Sequence, residues 1–313
     1  YYINGVELMI LVLFKALSFL AIIFLGYFLK RKGFFSENDK NIITKIALNI
    51  TLPASIISSF VSFEKNNSLF ILVFMGLVIG IFMFLTGALV SLGKNRETRI
   101  FYMLNCPGYN IGSFSMPFIQ GFIGHQGVIA TCMFDTGNAL MTCGGSYAAT
   151  SAVIGGNGEK FGFRDFLIKL FSSVPFDTYL LAFILAVIGF RLPEALANLI
   201  STTASANGFM AMLMLGLSLD FDIDKSFYGE IFKMLVIRYL VSAVLAVLIY
   251  FVFPLPELLK QVLTIVVFSP TSALVPAFTR KCGGNDKAAG FAGSVSIIIS
   301  VSIMVMLVTL INP

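Results

Sequence analysis

Long runs of apolar residues, separated by short polar segments, recur from one end of this 313-residue chain to the other. A helix of about 20 apolar residues crosses the hydrocarbon core of a bilayer. Only 12% of the residues are charged, about half the fraction typical of a water-soluble domain. The runs therefore predict an all-α integral membrane protein with ten transmembrane helices. The predicted spans are residues 8–29, 42–60, 69–92, 101–123, 128–149, 174–190, 199–219, 234–253, 261–279 and 288–311.

Lysine and arginine residues are concentrated in one set of the connecting segments. Seventeen of them lie in or beside the loops on one side of the predicted membrane, and only Lys65, Arg191 and Lys260 lie on the other. Positively charged loops stay in the cytoplasm, so the first set marks the cytoplasmic side. We therefore expect a multi-pass protein with its N-terminus and C-terminus outside. Arg238, near the cytoplasmic end of the eighth span, is expected to extend to that surface.

The two halves of the chain carry a matching pattern of spans. The midpoints of spans one, three, four and five precede those of spans six, eight, nine and ten by about 160 residues. Five is an odd number, so the second copy must be inverted across the membrane, as in many transporters. Residues 1–154 are predicted to form the first five-helix repeat and residues 174–313 the second, inverted one. Residues 155–173 alternate aromatic and basic side chains and are predicted to form a cytoplasmic amphipathic linker.

Spans four and nine are both interrupted near their middles by helix-breaking residues. Residues 105–117 contain two prolines, two glycines and two asparagines, and residues 269–276 contain two prolines among hydroxyl groups. Matched breaks in the two halves of a transporter point to its binding site. Freed backbone N–H groups favour an anion, whereas freed carbonyls favour a cation or a donor. The candidate substrate-binding residues in these breaks are Asn110, Ile111, Gly112, Ser113, Ser115, Pro270, Thr271 and Ser272.

Four further polar residues lie inside predicted spans. Asn49, in an Asn-Ile-Thr-Leu-Pro segment, and Asn138, near mid-membrane, are added to the candidate substrate-binding residues. Lys15 and Asp135 each lie roughly 10 Å below the outer surface, seven residues into their spans. Intramembrane charges usually pair or line a pathway. We expect Lys15 and Asp135 to form an ion pair, or Asp135 to carry a proton while Lys15 extends to the outer surface.

Several other classes of function find little support. The four cysteines lack a CxxC spacing and His125 is the only histidine, so neither a metal site nor a cofactor is expected. The basic residues lie between apolar runs rather than in a nucleic-acid footprint, so no nucleic-acid partner is expected. An intramembrane enzyme would need a Ser/Lys pair or two aspartates at depth, and Asp135 stands alone there. We therefore expect no catalytic residues.

Several segments resemble the auxin efflux carrier family in its bacterial branch. They are residues 25–33, the Leu-Asn-Ile-Thr-Leu-Pro-Ala run at 48–54, the spacing from 110 to 117, and residues 215–218 and 270–276. The resemblance implies two inverted five-helix repeats with broken crossover helices four and nine, similar to the bile-acid symporter and sodium/proton antiporter folds. Spans one, two, six and seven would be a scaffold and the others a moving unit. Asn110 would be the crossover asparagine and Pro270 the second crossover proline.

The resemblance also implies a function. A protein of this kind would be a secondary transporter that moves a small organic (carboxylate) anion, such as malate or malonate, across the bacterial inner (plasma) membrane. It would work by elevator-type alternating access among membrane lipids, with assembly as a homodimer and coupling to H+ or Na+ left open. The chain departs from the family pattern at Ser113, Ser115, Thr271 and Ser272, which make the crossing rich in hydroxyl groups. A cation-coupled carrier of another solute and a transporter-like ligand sensor stay open as alternatives.

Overall fold

The computed structural model describes residues 5–60, 69–155, 163–188, 193–221 and 227–311. All regular elements in these ranges are helices. The predicted topology markers Lys65, Lys160, Arg191 and Lys225 lie outside the described residues. The first eight α-helices are α1 (Gly5–Arg31), α2 (Glu37–Ile46), α3 (Leu52–Phe60), α4 (Leu69–Val90), α5 (Arg96–Asn105), α6 (Met116–Phe122), α7 (His125–Leu140) and α8 (Ser146–Ile154). The next eight are α9 (Phe163–Leu170), α10 (Val174–Val187), α11 (Glu194–Ser205), α12 (Asn207–Ser218), α13 (Tyr228–Phe251), α14 (Glu257–Val266), α15 (Val275–Lys281) and α16 (Asp286–Ile311).

Within the described residues, six helical segments are long and apolar enough to cross a membrane. Large apolar side chains on these helices point outward; Phe74 of α4 and Phe251 of α13, for example, are 65% and 76% exposed. Such surfaces suit lipid rather than water. The structure thus confirms the class predicted from the sequence, an all-α membrane protein. The six segments are Leu13–Arg31, Glu37–Phe60, Leu69–Val90, Ala195–Ser218, Tyr228–Phe251 and Asp286–Ile311.

Polar caps fix where helices begin on the side predicted to be cytoplasmic. Ser36 and Asp39 form a reciprocal capping box at the start of α2, and the Asn95 side chain accepts a 2.8 Å hydrogen bond from Thr98 N–H in α5. These contacts satisfy N–H groups that the first turn of a helix leaves without partners. The sequence therefore starts both helices after short polar turns, which leaves the apolar residues to the helix bodies.

Three short π-helical segments interrupt the α-helices: Ala47–Thr51 between α2 and α3, Ile111–Ser115 before α6, and Met141–Gly145 between α7 and α8. A π-segment widens the helix by a residue per turn and is frequent at functional sites. Residues of all three segments line one central cavity. The local irregularities of the fold are thus concentrated around one place.

Two pairs of helices pack with their backbones in contact. A β-carbon on Gly137 of α7 would collide with the Val73 carbonyl of α4, and one on Gly216 of α12 would collide with the Ile23 carbonyl of α1. Small residues allow this close approach between helices in membranes. The glycines therefore fix α4 against α7 and α1 against α12.

Candidate functional site

The two interrupted helices meet at their breaks. Helix α5 ends at Asn105 and helical structure resumes at Ile111, while α14 ends at Val266 and α15 begins at Val275. The intervening segments, residues 106–110 and 267–274, are called the crossing below. They form an antiparallel bridge between Tyr109 and Thr271, and Asn110 N–H donates a 2.9 Å hydrogen bond to the Pro270 carbonyl. The paired breaks in the sequence are therefore in direct contact.

Local geometry at the crossing depends on Gly108 and Asn138. Gly108 has a φ of 76°, a left-handed conformation that favours glycine, and its α-carbon faces Thr142 closely. The fully buried side chain of Asn138 accepts from Tyr109 N–H and donates to the Tyr109 carbonyl, both at 3.1 Å. Asn138 thus replaces the hydrogen bonds that the broken helix has lost. Both ends of its amide therefore make hydrogen bonds within the protein.

Arg238 lies at the centre of the crossing, so the expectation that it extends to the membrane surface is wrong. Its side chain is fully buried, and its two terminal nitrogens donate to four backbone carbonyls. Its guanidinium also stacks on the Tyr109 ring, with 4.8 Å from Cζ to the ring centroid. Carbonyls of two helix ends accept from both terminal nitrogens and so hold the charge inside the protein, while Nε has no acceptor among the described residues. The carbonyls belong to Asn105, Cys106, Gly108 and Ser269.

Two cavities border the crossing. The first, called the Asp135 cavity, has a volume of about 380 Å³ and includes Asp135 and Tyr179 in its wall. The second, called the Lys40 cavity, has a volume of about 290 Å³ and includes Lys40 and several hydroxyl groups. The wall between them is common to both and is formed by Leu48, Asn110, Ser113, Ser272 and Ala273.

The Asp135 carboxylate is held by two neutral donors. Its Oδ2 accepts a 3.0 Å hydrogen bond from the Tyr179 hydroxyl of α10, and its Oδ1 accepts one of 2.8 Å from the Asn138 amide. Tyr179 therefore connects α10, in the second half of the chain, to α7 in the first.

Lys15 and Asp135 have different partners, and the expected ion pair is absent from this structure. The Lys15 ammonium donates to the Gly121 carbonyl and lies 5.6 Å from the centroid of the Phe122 ring, on an exposed side chain. Carbonyl and aromatic groups at the end of α6 can hold a lysine near the surface without a carboxylate. Asp135 is thus left with its neutral donors and the cavity.

Apart from Lys15, the predicted site residues divide into three groups. The first group lines the two cavities. The second is Ser115, whose buried hydroxyl is hydrogen-bonded to that of Ser269. The third is Pro270 and Asn138, which hydrogen-bond to the backbone of the crossing. The cavity group thus holds most of the polar atoms available to a ligand. Its members are Asn49, Asn110, Ile111, Gly112, Ser113, Thr271, Ser272 and Asp135.

Sequence reasoning missed several residues of the site. Tyr179 follows Asp177 and Thr178 in the sixth predicted span but was treated as part of its apolar run, and Lys40 was counted only as a topology marker. At the crossing, the Ser296 hydroxyl accepts a 3.1 Å hydrogen bond from Thr271 N–H. An arginine inside a span is itself a signal of function, and this signal could have found Arg238.

Outward apolar helices, a crossing of two broken segments and cavities beside it are the features of a multi-pass membrane transport protein. The sequence profile described as "Membrane transport protein" matches residues 11–157 and 163–311. The chain therefore belongs to this family, the auxin efflux carrier family, and the resemblance noted from the sequence is confirmed. Membership makes it a transporter rather than an enzyme.

Two archaeal proteins are among its relatives. It is 26% identical to an uncharacterized transporter of Methanothermobacter thermautotrophicus over 269 residues, which are 83% of this chain and 85% of the relative. It is also 26% identical to an uncharacterized transporter of Methanocaldococcus jannaschii over 239 residues, 69% of this chain and 73% of the relative. The likeness therefore extends through both halves of the chain.

Proposed function

We propose that this protein is a secondary transporter that carries a small carboxylate anion across the plasma membrane. The observation that carries the proposal is the crossing, where two broken helices meet between two polar cavities. Broken helices at membrane depth are tolerated where they line a solute pathway. The backbone groups of the crossing bond to each other, and the polar residues Asn110, Ser113 and Ser272 line both cavities.

We also propose a topology of ten spans in two inverted repeats. Helices α5 and α6, like α14 and α15, are each too short to cross a bilayer alone, but together each pair has the length of one span. Helices α7 and α8 meet at a kink at Gly144, and together they can form another span. These pairs, with α10, bring the six long segments to ten. Each half then contributes one broken span to the crossing.

The Lys40 cavity fits the carboxylate end of a substrate. Lys40 and the hydroxyl groups of Ser218, Thr271, Ser272 and Ser294 border it, and none of the described residues in its wall is acidic. Lys40 is partly committed to Glu37, at 3.2 Å, on the exposed side of the cavity. A lysine with several hydroxyl donors favours an anion of modest size. Lys40 also lies on the side predicted to be cytoplasmic, so this conformation would receive substrate from inside.

The Asp135 cavity fits a proton that accompanies the anion. Asp135 is the acidic residue in its wall, and both of its hydrogen-bond donors are neutral. A carboxylate that binds a proton loses its charge, which lowers the cost of moving it with an anion through a low-dielectric region. We therefore place H+ coupling at Asp135, across the shared wall from the proposed anion position.

Elevator-type movement would then carry the crossing relative to a scaffold. Close packing joins α4 to α7 in the proposed moving unit and α1 to α12 in the proposed scaffold. The Tyr179–Asp135 hydrogen bond lies between the two units, because α10 belongs to the proposed scaffold and α7 to the moving unit. A contact of that kind can change when the carboxylate gains or loses its proton.

Uptake into proteoliposomes tests the proposal. Purified protein is reconstituted and the entry of labelled malate or malonate is measured with an inward proton gradient, an inward sodium gradient, or neither. We expect saturable uptake that a proton gradient stimulates. Absence of uptake, of exchange and of ligand-induced thermal stabilisation with a panel of organic acids would refute the carboxylate assignment. Stimulation by sodium alone would refute the assignment of H+ coupling.

A further inference from the structure

The crossing contains a permanent positive charge that the transport proposal does not use. Arg238 is 0% exposed, and its guanidinium is held by backbone carbonyls rather than by a carboxylate. Nη1 donates to the carbonyls of Asn105, at 3.3 Å, and Cys106, while Nη2 donates to those of Gly108, at 3.1 Å, and Ser269, at 3.0 Å. A buried charge is retained only when its surroundings satisfy it.

These carbonyls come from both broken helices. Asn105, Cys106 and Gly108 follow α5 in the first half of the chain, and Ser269 follows α14 in the second. Helix C-termini leave carbonyls without partners and carry the negative end of the helix dipole. In broken membrane helices such carbonyls can coordinate a metal cation. Here they surround a side chain of α13.

We propose that Arg238 is a built-in counter-ion of the crossing, occupying the carbonyl cage in which an alkali cation would otherwise be required. The guanidinium cannot dissociate from the chain and keeps its charge at all physiological pH values. The negative ends of both helices are therefore neutralised throughout the transport cycle. The crossing then needs neither Na+ nor K+ to keep its two segments together.

Tyr109 adds a second contact to the same charge. The guanidinium carbon lies 4.8 Å from the centroid of its ring, within the range of a cation–π interaction. Tyr109 is also the residue whose backbone pairs with Thr271 and with the Asn138 side chain. Arg238 thus touches the strand-like part of the crossing as well as the helix ends. Removing its charge should loosen all of these contacts together.

Thermal unfolding of the detergent-solubilised protein in different salts tests the inference without any substrate. We expect the wild-type Tm to be the same in sodium, potassium and choline chloride at equal ionic strength. Arg238→Ala and Arg238→Gln should lower the Tm, and millimolar methylguanidinium or sodium should restore part of the loss. N-methylurea, a neutral molecule of similar shape, should restore none. Lys233→Ala on the exposed face of the same helix, 63% exposed, is the matched control and should behave as wild type.

Several results would overturn the inference. A sodium-specific rise of the wild-type Tm would show that the cage is open to metal. An Arg238→Gln protein with the wild-type Tm would show that the charge is unnecessary. The same conclusion would follow if N-methylurea raised the Tm of the neutral variants as much as methylguanidinium does, or if no cation raised it. If neither neutral variant accumulates in the membrane, the Arg238→Lys variant is tested instead. We expect it to accumulate and to have a Tm that does not depend on the salt. If the Arg238→Lys protein failed to accumulate, the shape of the guanidinium rather than its charge would be what the crossing requires. Because the readout is stability, failure here is distinct from failure of the transport proposal.

Discussion

At the scale of single residues, Asn110 joins the backbone of the crossing to both cavities. Its N–H is committed to the Pro270 carbonyl, but its side chain lies in the wall that the cavities share. The backbone of Asn110 thus contributes to folding, whereas its side chain is available for binding a substrate. The side chain can therefore be changed with limited damage to the bridge.

Replacing Asn110 with alanine should weaken transport more than it weakens folding. Losing a hydrogen bond to a charged ligand costs about 1.5–3 kcal/mol, which is roughly a tenfold or greater loss of apparent affinity. Proteoliposome uptake across a substrate series measures KM, and the Tm should stay close to wild type. Asn198→Ala, at an exposed position of α11, serves as the control. An unchanged KM for Asn110→Ala would remove this side chain from the binding site.

Replacing Asp135 with asparagine should uncouple transport from protons. The amide imitates the neutral form of the carboxyl group, so that uptake should lose its response to a proton gradient while exchange of substrate continues. Tyr179→Phe removes one donor to the carboxylate and should shift the pH profile of uptake without abolishing the gradient response. Uptake measured from pH 5 to pH 8 distinguishes the two variants. A gradient response that survives in Asp135→Asn would place the proton elsewhere.

At the scale of helices, close glycine contacts fix the packing of two pairs. Gly137→Ala and Gly216→Ala should each lower stability by about 1–3 kcal/mol, because the added methyl group meets a backbone carbonyl that cannot move aside cheaply. Gly229→Ala, where the β-carbon would meet open space, should be tolerated. Thermal unfolding in detergent compares the three. Equal Tm values would mean that the helices are separated more widely than in this structure.

The sequence allowed the apolar helices and the two breaks to be predicted, because both depend on local composition. Contacts between distant segments could not be predicted in the same way. Arg238 looked like a surface arginine because its four acceptors come from residues more than 30 positions away. The sequence predicts the depth of Asp135 and Lys15 in the membrane but not the direction in which each side chain points, so the two were expected to pair. In the structure, Asp135 accepts hydrogen bonds from Tyr179 and Asn138 instead. The sequence marked residues 111–115 as part of a break, but their π-helical geometry was not predicted.

At the scale of the whole molecule, the placement of basic residues predicts an orientation in the membrane that can be tested. All four native cysteines are buried, so an introduced cysteine can report accessibility over a low background. Phe34→Cys, in the turn after α1, should react with an impermeant maleimide only in inside-out vesicles. Pro254→Cys, in the turn after α13, should react in right-side-out cells. The reverse pattern would invert the predicted topology and would place Lys40 on the outer side.

The bonds of the crossing also limit how the molecule can move. Asn110 is bonded to Pro270, and Arg238 binds carbonyls from both broken segments, so the two segments are fastened to each other and to α13. Neither segment can bend or slide alone without breaking several hydrogen bonds in a buried place. If a solute binds there, we expect it to move together with both segments and α13 as one rigid body. The contacts that change during movement would then lie at the surface of that body.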